Sequence, residues 1–73
     1  MWATGTKNGY SFWVKHYEGI GSEYGINGGA ISKLTIRKVD EDTDLVNFDR
    51  GWERFPQDPD VQAVYDYLLE KYN

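Results

Sequence analysis

The chain has no cysteine, one histidine, one methionine and two prolines among 73 residues. Without thiols, neither disulfides nor thiolate metal centres can support so small a fold, and a cytoplasmic setting is the simplest reading. No stretch approaches the ~20 apolar residues that a membrane-crossing helix needs, and no charged segment followed by an apolar run marks a leader. A soluble protein is expected. The chain also lacks a G-x-x-x-x-G-K-[ST] phosphate loop, a G-x-G-x-x-G turn between strand and helix, and any nucleophile with a base at readable spacing. These absences predict a protein that is not an enzyme and carries no cofactor.

Aromatic residues are abundant: three Trp, six Tyr and three Phe. A chain near 70 residues buries only about 60% of its extended surface, and each ring buries roughly 150–250 Å². The aromatics therefore make one small domain over residues 1–73 feasible, and no repeat or linker suggests a second. Charge is divided along the chain: residues 1–39 carry a formal +3 and residues 40–73 carry −7. The two signs are expected on different surfaces.

Asn8-Gly9 lies between two alternating segments and suits the positive φ angles of a type I′ hairpin turn. Trp2–Lys7 and Tyr10–Tyr17 then pair as strands, with Lys7 opposite Tyr10, Gly5 opposite Phe12, Ala3 opposite Val14 and Met1 opposite His16 on the core face. Phe12 covers the bare backbone at Gly5. The other face receives Trp2, Thr4 and Thr6 opposite Lys15, Trp13 and Ser11, with Tyr17 beyond. Residues 18–30 contain five glycines and read as a loop or irregular hairpin. Ile31–Val39 resumes a strand with Leu34 and Ile36 inward and Lys33, Thr35 and Arg37 outward. Asp40-Glu41-Asp42-Thr43-Asp44 is a turn, and Leu45–Arg50 returns with Val46 and Phe48 inward.

Asp58-Pro59-Asp60 opens a helix: a capping carboxylate, proline at the first helical position and a second anion near the positive dipole end. Val61, Val64, Tyr65, Leu68 and Tyr72 recur at helical spacing, broadened by Leu69. The predicted fold is α+β, a four-stranded antiparallel sheet of two hairpins with one C-terminal helix packed on one face.

The run Gly25-Ile26-Asn27-Gly28-Gly29 before Ile31-Ser32-Lys33-Leu34, the later Phe48-Asp49-Arg50-Gly51-Trp52 and the closing helix resemble a family of short uncharacterised proteins from phages and mobile elements of Gram-positive bacteria, a domain of unknown function. The resemblance implies such an origin but no chemistry. It departs from the family at Ala30, where Arg is expected, and at Phe48, where Tyr is usual; no guanidinium role carries over to position 30.

His16 has no readable partners for metal or base chemistry and reads as structural. Asp40, Asp42 and Asp44 alternate like calcium ligands, yet no glycine stands sixth and no glutamate twelfth. In Asp49-Arg50-Gly51-Trp52, Gly51 reads as a bulge or turn with Trp52 and Phe55 beneath the start of the helix; alternatively Arg50, Trp52 and Arg54 form a binding anchor. The open sheet face is the better candidate site, with Trp2, Trp13, Lys15, Tyr17, Lys33 and Arg37. A protein partner is expected first, a homodimer through the same face second, and single-stranded nucleic acid stacked on the rings third. A further alternative is that Asp40, Glu41, Asp42, Asp44, Asp58, Asp60, Asp66 and Glu70 mimic nucleic acid and inhibit a basic host protein.

Overall fold

Asn8 and Gly9 hold φ angles of 54° and 84°, the paired positive values that reverse the chain in two residues with the twist of the flanking strands. The computed structural model, which describes residues 1–17 and 25–73, shows the consequence in β1 (Trp2–Lys7) and β2 (Tyr10–His16). These pair with Lys7 opposite Tyr10, Gly5 opposite Phe12 and Ala3 opposite Val14. Met1 and His16 exchange backbone hydrogen bonds of 3.1 and 2.9 Å. A Cβ at Gly5 would lie 3.0 Å from Cζ of Phe12, so the ring does cover that backbone.

β3 (Ile31–Lys38) follows a single 3₁₀ turn at Ile26–Gly28, and β4 (Asp44–Asp49) follows a turn in which Asp40 takes φ 66°. The loop expected over residues 18–30 is described only from Gly25 onward; residues 18–24 lie outside the described part. All strands run antiparallel in the order of the chain.

The sheet has five strands, not four. β5 (Trp52–Arg54) pairs with β4, Trp52 opposite Phe48 and Arg54 opposite Asn47. The turn into β5 is carried by Arg50 at φ 54°, not by Gly51. Arginine seldom takes that region, so the residue type gives no turn signal, and three residues are too few to show alternation.

α1 (Pro59–Tyr72) begins as its capping residues dictate, with Asp58 Oδ1 accepting the Val61 amide at 3.0 Å. Val61, Val64 and Leu68 are buried against Phe12, Val14, Leu34, Ile36, Val46 and Phe48, together with Ile26 and Ile31. Each fully buried aliphatic side chain of this size contributes about 1.5–3 kcal/mol. Tyr65, Leu69 and Tyr72 pack at the border of this core.

The glycine motif has a packing explanation. Asn73 Oδ1 accepts the Ile31 amide and its Nδ2 donates to the Ile26 carbonyl, each at 3.0 Å. A Cβ at Gly29 would fall 2.3 Å from this amide, and one at Gly25 would fall 2.0 Å from the Gly29 carbonyl oxygen. The loop before β3 is thus pressed against itself and bolted to the end of α1. Ala30 is buried here, in a place that suits a methyl group.

Candidate functional site

Because the helix covers one sheet face, alternation leaves the other side chains on an open face. The registers align them in ladders across the strands: Trp2, Lys15, Lys33 and Asp49; then Thr4, Trp13, Thr35 and Asn47; then Thr6, Ser11, Arg37 and Asp44. Five of the six expected site residues, Trp2, Trp13, Lys15, Lys33 and Arg37, therefore share this face. Tyr17 does not join a ladder. It lies past the end of β2, beyond a register shift between Lys15 and His16, and its amide donates to Ala30.

Trp2 is 56% and Trp13 38% exposed. Together with Thr35 and Arg37 they line an open depression of about 360 Å³. The Arg37 guanidinium lies 5.4 Å from the Trp13 ring centroid, and its Nε donates to Oδ1 of Asp44. The ion pair and the ring hold Arg37 in place, so little side-chain freedom remains to be lost when something docks on it.

Charge on the face is graded rather than basic. Lys33 lies 3.7 Å from Asp49, and Asn47 donates to Glu53 at 2.9 Å on the β5 side. Lys15 stands directly opposite Lys33; among the described residues it pairs with no carboxylate. The order across the sheet is aromatic at β1 and β2, cationic at β2 and β3, and acidic from β4.

Arg50, Trp52 and Arg54 do not converge. Trp52 belongs to the helix side, with an edge contact to Phe48 at 5.1 Å, a tilted contact to Tyr65 at 5.6 Å and a stack on Phe55 at 4.7 Å. Phe55, expected beneath the helix, is 58% exposed and covers Trp52 from the solvent side.

His16 sits 4.9 Å from the Tyr72 ring, and among the described residues no cluster of His, Asp or Glu could hold a metal ion. At the opposite end of the molecule, burial and the carboxylates of Asp58 and Asp60 push the Tyr10 phenol above its ordinary pKa. Tyr10 pairs with Lys38, immediately before the Asp40 turn, so both groups of acidic residues gather around this end. None of the described helices is long and apolar enough to cross a membrane.

A model of one family, a domain of unknown function (DUF7678), matches residues 1–73. The chain belongs to that family. No curated protein and no solved structure matches it.

Proposed function

We propose that this member of a family without assigned chemistry is a non-enzymatic protein-interaction module that binds through the open sheet face. The observation that supports the reading best is the Trp2 and Trp13 pair with Arg37 fixed between Trp13 and Asp44. Exposed indoles beside a positioned guanidinium are the residue types that dominate binding energy at protein interfaces. Lys15 and Lys33 supply the polar rim. Origin in a phage or mobile element of a Gram-positive bacterium, and a cytoplasmic site of action, belong to the same proposal.

The face suits a protein better than single-stranded nucleic acid. Stacking would need the same rings, but the phosphate track would need free cations, and Arg37 and Lys33 already face Asp44 and Asp49. Trp13→Ala should weaken partner capture from a lysate of the encoding organism at least about 30-fold, as for a hot spot, and nuclease should leave the captured partner in place. A fluorescent single strand bound in the micromolar range, with affinity falling steeply as salt rises, would contradict the reading.

A second reading rests on the acidic end, where Asp58 and Asp60 act on Tyr10 near the Asp40-Glu41-Asp42 turn. This is the surface by which the chain would imitate a nucleic acid toward a basic protein. Under it, Asp58→Asn with Asp60→Asn would abolish capture and Trp13→Ala would not.

A further inference from the structure

β1 is an edge strand, last in the sheet order, and mostly exposed along its length. The reciprocal bonds between Met1 and His16 fix which of its residues face β2. In an antiparallel pair, bonded and non-bonded positions alternate, so Ala3, Gly5 and Lys7 point their backbone groups at β2. Trp2, Thr4 and Thr6 point theirs away. Among the described residues no segment pairs with that side. The usual protections of an edge are also missing: β1 holds no proline and no bulge, and its only charge is Lys7 at the last position.

We propose that β1 pairs antiparallel with β1 of a second copy, about a twofold axis at Thr4, to join two sheets into one. In that register Trp2 meets Thr6 of the second copy, Thr4 meets Thr4, and Thr6 meets Trp2. Each pairing exchanges N–H···O=C bonds in both directions, and every outward backbone group of the strand is satisfied. On the helix side, Ala3 meets Gly5 of the second copy, so small residues oppose each other beside the axis, and Met1 meets Lys7 at each end, where the Met1 ammonium is turned to the His16 carbonyl of its own β2. The exposed side chain of Met1 gains the Lys7 stem, itself held over the Tyr67 ring at 4.3 Å.

A second copy fits this edge better than the other available pairing. β5, at the opposite edge, has three residues, and joining β1 of one copy to β5 of the next would build an open fibre, whereas β1 on β1 closes. The dimer also brings the two Trp2 and Trp13 surfaces onto one continuous sheet face. It leaves that face free, so this inference stands apart from the proposed function.

Sedimentation of the full chain across the micromolar range, with Thr4→Lys and Thr4→Glu variants, tests it. The parent should sediment at twice the chain mass. Each variant should sediment at half the parent's value with unchanged circular dichroism, because like charges meet at the axis. Mixing the two variants in equal amounts should restore the dimer. Should a charged variant fail to fold, Thr4→Pro removes an outward N–H without breaking a bond to β2 and should also give monomer. A monomeric parent, variants that remain dimers, or a mixture that stays monomeric overturns the proposal. So does a dimer that dissociates with Trp13→Ala but persists in the Thr4 variants, which would place the contact on the sheet face. Capture of a partner by the Thr4→Lys monomer that is lost on Trp13→Ala bears on the proposed function alone.

Discussion

Arg50 occupies a left-handed backbone conformation that side chains with a Cβ pay about 1–2 kcal/mol to hold, while its own side chain is 65% exposed. Nothing crowds position 51, where a Cβ would meet open space. Arg50→Gly should therefore raise stability by about 0.5–1 kcal/mol, the strain removed being partly offset by a freer unfolded chain; chemical denaturation measures it. Asn73 shows the opposite case, since its amide satisfies the Ile31 amide and the Ile26 carbonyl at once. Asn73→Ala should cost about 1–3 kcal/mol in the same experiment, because two partly buried backbone groups lose their partners. Neither role was legible in the sequence. Arginine carries no turn preference, and the Asn73 contacts join positions 42 and 47 residues apart. The glycines that make room for Asn73 were visible, and were readable as backbone geometry, but what they make room for was not.

At the scale of elements, local chemistry carried most of the information. Asn8-Gly9 determined the β1 and β2 register residue by residue, and Asp58-Pro59 located the start of α1. Gly9→Val should lower stability because Gly9 sits at φ 84°, where a β-branched residue is strongly disfavoured; helical circular dichroism should survive in the fraction that stays folded. Leu68→Ala removes a fully buried side chain from the helix face and should cost about 2–5 kcal/mol. β5 escaped because it is short and enters through Arg50. The fold also couples to alkaline pH. Burial, aided by Asp58 and Asp60 at Tyr10 and by Asp66 at Tyr65, raises both phenols above 10.0. The folded state then holds these protons more tightly than the unfolded one. Their contribution is complete below pH 10 and is lost as pH rises through the raised values. Tyr10→Phe and Tyr65→Phe should each flatten the decline of melting temperature with pH in that range.

Over the whole molecule, the division of charge in the sequence becomes a division of surfaces, but not the one that composition suggests. The open face mixes both signs, because β4 lays Asp44 and Asp49 beside the cations of β3. Ion pairing across strands was invisible before the β3 and β4 register was known, and it weighs further against nucleic acid, which the sequence already placed third. The central claim, that this face is where the molecule meets its partner, is tested most directly by photo-crosslinking inside the encoding cell. A photoreactive phenylalanine at Thr35, in the depression between Trp13 and Arg37, is compared with one at exposed Asp66 on α1. The predicted result is a protein adduct from position 35 that resists nuclease and disappears with Trp13→Ala, and none from position 66. Adducts from position 66 alone, or a nuclease-sensitive adduct from position 35, would contradict it.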